Sequence, residues 1–324
     1  MIATLPQAGR RESPVATAPG PAPGLRHRAA ERTGDDSLPR LRWIDLSLPL
    51  EPTPYEAGPL RVDYTDHRQG GDQLGLLARV PDYGSFARLA WAWVKQRLGW
   101  RALRARDFPG GIGLASEHFR SLSSHHGTHL DAPWHYGPRC AGRPARTVDA
   151  LPLGWCFAPG LRVDVRRRRD AAWVRLRDVR DALRRAGTAV RPGRIALLQT
   201  GLDRWWGTPR YLSAAPGVEA AVVAWLVDRG VRVIGIDAFG FDRPFAEMYR
   251  DFRRTRDARV LWPTHLAGRE REYCQIEKLA NLDALPGPEG FWVSCLPVRI
   301  ARGGAAWTRA AAAVPAAGED DHGL

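Results

Sequence analysis

Apolar and polar positions alternate in "LRWIDLSLPL" from Leu41, the period of a half-buried first strand. From Leu161 onward the pattern changes to short apolar runs separated by longer amphipathic stretches. "LRVDV" at Leu161 reads as a strand, Val174 to Ala186 as an arginine-rich helix stopped at Gly187, and "RIALLQT" from Arg194 as a second, buried strand. Pro216 is placed to open a helix with Val218, Val222, Trp225 and Leu226 on one side, closed by Gly230. "VRVIGID", Val231 to Asp237, reads as a third strand of this series, and "FWVSCLPVRIA" returns to strand. Strand, helix, strand, helix, strand predicts parallel pairing through right-handed crossovers. The expected class is α/β, a single domain built on a mixed sheet.

Residues 66–118 break this rhythm. Within them Phe86 to Trp100 places Leu89, Trp93 and Leu98 roughly on one helical face. Such an amphipathic helix most often packs on its own domain; a lid or a membrane-surface helix are the alternatives. Residues 1–38, with "PVATAPGPAPG", and residues 313–324 carry no hydrophobic period and read as disordered tails. The folded domain is expected to span residues 39–312.

Hydrophobic residues make up 44% of the 324, ample for a buried core. The formal charge of +13 would suit nucleic acid, but the kind of base argues against it. Only Lys95 and Lys278 are lysines, so 46 of the 48 basic residues are arginine, scattered without aromatic interleaving or a nucleic-acid motif. A compositional bias and a solvated surface explain the charge, and no nucleic-acid partner is expected. Cys140, Cys156, Cys274 and Cys295 form no C-x-x-C pair and read as buried free thiols in a reducing compartment. No stretch reaches the roughly 18 apolar residues of a membrane span, and the N-terminus has no apolar signal-peptide core. A cytoplasmic location is the expectation.

The segment richest in chemistry is "HHGTHLDAPWH", His125 to His135, which holds four of the nine histidines and one aspartate. In an extended chain residues two apart share a face, so His125, His129, Asp131 and His135 would stand together. Gly127 and Pro133 oppose a continuous helix. A lone histidine is usually structural, and His27, His67 and His322 are read so. His126, on the other side, is read as structural too. Four donors on one face would be costly to bury without a ligand. Imidazole with carboxylate suits a divalent ion such as Zn²⁺ or Mn²⁺.

H-x-G-T-H-x-D-x-P-x-H resembles the signature of the cyclase family, which includes bacterial kynurenine formamidases and isatin hydrolases. "HHGTHLDAPWH" matches it at every fixed position, and "IDLSLPL", "TGLDRW", "VIGID" and "IEKLANLDALP" extend the likeness. The resemblance implies a swivelling β/β/α-like fold with His125, His129 and Asp131 as metal ligands. It puts His135 in the place of the family's acid/base histidine, and His265 in "WPTHLAGRE" and Glu277 in "YCQIEKLANL" in the second half of the site. A glutamate at position 277 lets Asp131 and Glu277 bridge two ions, so two divalent metals per chain are implied, together with a homodimer or larger homo-oligomer.

The implied activity is hydrolysis of an amide-type bond (N-formyl or N-acyl arylamine, imide or lactam) by metal-activated water, with His135 as general acid/base. Two further readings use the same residues: a metal-dependent cyclase or dehydratase of natural-product biosynthesis, and a non-catalytic, metal-stabilised binding protein. The thirteen tryptophans suggest an aromatic or apolar small-molecule substrate, with Trp134, Trp205 and Tyr55 as candidate contacts. Formamidases acting on N-formylkynurenine carry a tryptophan in a W-P-G-D-like stretch soon after the first strand. Here "EPTPYEAGPLRVDY" has no tryptophan, and Tyr55 is the nearest aromatic.

Overall fold

The computed structural model describes residues 41–316 apart from residues 55, 57, 59, 78–85, 99–102 and 169–171. The first half holds β1 (Leu41–Asp45), β2 (Arg61–Thr65), α1 (His67–Leu77), α2 (Phe86–Arg97), β3 (Ser116–Arg120), β4 (His129–Asp131), α3 (Pro133–Tyr136), β5 (Arg139–Cys140) and β6 (Arg143–Pro144). Next come β7 (Phe157–Asp164), β8 (Trp173–Val174), α4 (Leu176–Arg185), β9 (Ile195–Gln199), α5 (Pro209–Ser213), β10 (Gly217–Val218), α6 (Ala220–Val227) and β11 (Val233–Ile236). The chain ends with α7 (Phe245–Thr255), α8 (Pro263–Leu266), β12 (Cys274–Glu277), β13 (Trp292–Ser294), β14 (Ala305–Trp307) and β15 (Ala311–Pro315).

Nine strands form one mixed sheet in the order β1-β15-β13-β7-β9-β11-β12-β4-β14. β7, β9, β11 and β12 run parallel at its centre, as the α/β rhythm predicts. Both faces are covered, which is why the central strands read as unbroken apolar runs. In β9, Ala196 and Leu198 enter the core shared with α4 and α6, whereas Ile195 and Leu197 enter the core on the opposite face. Beyond β1, Ser47 bridges Leu279 and the Leu46 carbonyl accepts from the Ala280 amide at 2.9 Å. The sheet edge thus curls back onto the residues that follow β12.

Several expectations need correction. Pro216 opens no helix: Gly217–Val218 pairs with Trp173–Val174 as a short parallel ladder, and α6 starts at Ala220. The same ladder takes Val174 out of α4. The boundary expected at residue 312 falls inside β15, where Ala313 and Val314 pair with Trp43 and Arg42. Small side chains let residues 313–315 pass for a tail although their backbone belongs to the sheet. Residues 1–38 and most of the C-terminal tail lie outside the described residues. "FWVSCLPVRIA" is strand only at Trp292–Ser294. Residues 66–115 leave and rejoin the chain at a separate β2–β3 ladder, Thr65 pairing with Ser116 and Arg61 with Arg120.

Among the described residues no helix is long and apolar enough to cross a membrane. The four cysteines are buried free thiols.

Candidate metal centre

The antiparallel pairing of β12 with β4 sets Glu277 opposite His129 and Gln275 opposite Asp131. Because side chains alternate along a strand, all four fall on one face, and Leu130 and Ile276 enter the core on the other. The extended reading of "HHGTHLDAPWH" therefore holds only for His129–Asp131. His125 reaches the same place through a turn at Gly127, whose left-handed φ of 60° favours glycine. His135 reaches it from α3, one helical turn beyond Asp131. His265 arrives from α8 across the cavity.

The distances are short. His125 Nδ1 lies 3.2 Å and His129 Nε2 3.6 Å from Asp131 Oδ1; His135 Nε2 lies 4.0 Å from Asp131 Oδ2. Glu277 faces His129 Nε2 at 3.5 Å and His265 Nε2 at 3.4 Å. The donor atoms of His125, His129 and Asp131 all fall within 4.8 Å of one another, and so do those of Asp131, His135 and His265. The structure thus brings together all six residues expected from the sequence and the resemblance.

Outer contacts fix the tautomers. His129 Nδ1 donates to the Gly127 carbonyl at 2.9 Å, leaving the Nε2 lone pair aimed inward. His265 Nδ1 donates to Asp242 at 2.6 Å, which turns its Nε2 toward Glu277. Asp242 also accepts from the Thr264 and His265 amides. The Gln275 amide lies 3.4 Å from Asp131 Oδ2 and 3.3 Å from Glu277 Oε1, held in turn by the Tyr273 hydroxyl. Such outer partners orient metal-binding side chains. Sequence reasoning missed Asp242 and Gln275, since neither stands at a telling spacing from a histidine. The one available signal for Gln275 was its place two residues before Glu277.

Burial and charge oppose each other here. Burial disfavours a charged His265, yet Asp242 and Glu277 outweigh it and lift its pKa to about 10. Burial likewise opposes charge on His129, but Asp131 and Glu277 raise its pKa. Burial would raise both carboxyls, whereas the surrounding imidazoles hold Asp131 and Glu277 below the usual carboxylate range. His135 goes the other way: its burial, with His125 and His265 nearby, outweighs Asp131 and lowers its pKa.

The donor set fits a divalent cation. Among the described residues, buried His129 Nε2 and Asp131 Oδ1 make no hydrogen bond, although His125 Nδ1 and His129 Nε2 stand 3.2 and 3.6 Å from that oxygen. Buried polar groups are normally satisfied. Gly240 leaves room beside Glu277: a Cβ there would stand 3.2 Å from Oε1.

The cluster forms the floor of a cavity of about 230 Å³ walled by Leu212, Phe239, Phe245, Met248 and Trp262. Phe245 and Trp262 stack at 4.9 Å. Trp134 and Trp205 are not among its walls. Trp134 projects outward from α3, and the Trp205 ring is covered by Arg210, 4.1 Å above it, in a neighbouring cavity. Tyr55 lies outside the described residues. His126 is buried, its Nε2 3.1 Å from the Gly58 carbonyl.

A mixed α/β sheet carrying a histidine–carboxylate cluster on paired strands defines an α/β protein with a candidate metal centre. The family model described as "Putative cyclase" matches residues 44–243, and the chain belongs to the cyclase family. His265 and Glu277 lie beyond that match. In structure the chain is similar to an isatin hydrolase bound to the product analogue thioisatinate, at 19% identity and a TM-score of 0.57, covering 85% of this chain and 93% of that one. Isatin hydrolase A from Labrenzia aggregata, bound to benzyl benzoate, gives the same identity, TM-score and share of this chain, with 94% of its own covered. Isatin hydrolase A from Ralstonia solanacearum is 21% identical, with a TM-score of 0.57, covering 85% of this chain and 92% of that one. At these identities the likeness is one of fold. No functionally curated protein matches the chain.

Proposed function

We propose that the protein is a metal-dependent hydrolase of an amide-type bond in an aromatic or apolar small molecule, such as an N-formyl or N-acyl arylamine, an imide or a lactam. The observation that carries this reading is the convergence of buried imidazole and carboxylate donors, with His129 Nε2 and Asp131 Oδ1 making no hydrogen bond among the described residues, beside an aromatic-walled cavity. His125, His129, Asp131, His265 and Glu277 would hold Zn²⁺ or Mn²⁺, a donor set of imidazoles and carboxylates that suits either ion. A divalent ion held there would lower the pKa of water to about 7 and polarise a carbonyl. Two ions per chain are the proposed occupancy, for which these five side chains would supply the donors.

His135 supplies the proton chemistry. Its lowered pKa keeps the imidazole neutral near pH 7, ready to take a proton from the attacking water and return it to the leaving nitrogen. Asp242 holds His265, and Gln275 spaces Asp131 from Glu277. The stacked Phe245 and Trp262 offer flat apolar faces to an aromatic substrate.

Elemental analysis of purified protein, with hydrolysis of an N-formyl arylamine and a fused aromatic lactam before and after chelation, tests the proposal. Bound Zn or Mn with chelator-sensitive turnover is expected. Absence of metal under every reconstitution condition overturns it. Product formed in ¹⁸O-labelled water separates hydrolysis from cyclisation, since only hydrolysis incorporates the label. Glu277→Gln is expected to lower the metal content from two ions toward one, by the same elemental analysis; an unchanged content would end the two-ion proposal.

A further inference from the structure

Lys278 follows Glu277 and stands out against the composition of the chain. Arginine supplies 46 of the 48 basic side chains, and Lys278 is one of two exceptions. It is also 1% exposed, its charge paired with the equally buried Glu56. The ammonium donates to Glu56 and to the His125 carbonyl at 2.7 Å and lies 4.7 Å from the centre of the Phe239 ring. A compact tetrahedral head thus makes two hydrogen bonds and faces an aromatic ring. A planar guanidinium, with five donors, would leave donors buried and unmatched.

The backbone points the same way. Lys278 has a φ of 60°, in the left-handed region that non-glycine residues seldom occupy, and such outliers persist where surrounding contacts over-determine them. Its carbonyl accepts from the Thr128 hydroxyl, while Glu56 accepts from the Gly127 amide at 2.7 Å. The loop "HHGT" is therefore gripped at His125, Gly127 and Thr128 by Lys278 and Glu56. His125 needs such a grip. It lies outside strand and helix, and its side chain is 31% exposed, whereas His129 and Asp131 are fixed by the sheet.

We propose that Lys278, paired with Glu56, is a positioning residue for the metal centre, its ammonium fixing the main chain of His125 so that the imidazole meets Asp131. The proposal rests on the metal-site reading above and assigns to this chain a device that the ligand motif does not contain.

The test is a double-mutant cycle on Zn²⁺ affinity, measured by competition with a chromogenic chelator. Lys278→Met is expected to weaken binding about 10–100-fold, the range for loss of an outer partner. In the His125→Ala background it should cost nothing further, because the ligand it positions is gone. Co²⁺-loaded Lys278→Met should share the visible spectrum of Co²⁺-loaded His125→Ala, and Lys278→Arg should not restore wild-type affinity. Should Lys278→Met not fold, Glu56→Gln/Lys278→Met removes both buried charges and carries the same expectations. Unchanged affinity, or losses that simply add, would overturn the proposal while leaving the metal site standing. A wild-type chain that binds no Zn²⁺ would overturn the metal-site reading itself.

Discussion

Asp131→Ala is expected to abolish metal binding and, with it, all turnover. Asp131 is the one residue common to both triads, fully buried and surrounded by His125, His129 and His135. Its loss should exceed the roughly 10–100-fold cost of removing an outer partner, since among the described residues it is the carboxylate within ion-pair reach of His125. The effect is also thermodynamic. A ligand present at 100 times its Kd stabilises the folded state by about 2.7 kcal/mol, a Tm rise of about 4 °C for a chain of this size. Wild-type protein stripped of metal should show that rise when Zn²⁺ is added, and Asp131→Ala should show none. A variant that still gains stability from Zn²⁺ would mean the ion sits elsewhere.

His135→Ala is the second large effect, and it separates two roles that distance alone leaves together. His135 belongs to one of the two triads, yet it sits farther from Asp131 than either His125 or His129 does. As the general acid/base it should cost about 10²–10⁴-fold in kcat when removed, with metal content retained. The pH profile gives an independent reading. The base must be neutral, so wild-type kcat/KM should fall as pH drops through the pKa of His135, which burial lowers from the ordinary imidazole value. His135→Ala should lose that acid limb. Metal loss equal to that of Asp131→Ala would instead make His135 a ligand.

The central strands were legible because burial on both faces leaves apolar runs that no helix period fits. β10 and β15 were not: a two-residue ladder and an alanine-rich strand carry their information in backbone pairing, which side-chain pattern does not encode. At the site the right residues were found for a partly different reason. Odd numbering collects His129 and Asp131 on a strand face, but His125 joins them through the Gly127 turn and His135 through one turn of helix. Glu277 becomes adjacent to His129 only through register, and His265 only through the placement of α8. Both were visible through family resemblance alone. The aromatic walls Phe239, Phe245 and Trp262 lie on segments whose approach to the cavity is set by tertiary packing, whereas Trp134 and Trp205 were singled out for nearness along the chain.

The β2–β3 ladder brings residues 66 and 115 to neighbouring points, so the stretch between them leaves and rejoins the chain at one place, like a drawer at its runner. Variation in its length leaves the pairing of β4 with β12 untouched, because the closure is made at the ladder and each doubling of a loop adds only about 0.6 kcal/mol. Such a stretch is a natural place for lineages to diverge. Any influence it has along the backbone on the histidines passes through residues 121–124, where the Trp307 indole holds the Ser123 carbonyl at 2.9 Å. The chain can thus remodel its periphery while keeping its chemistry in register.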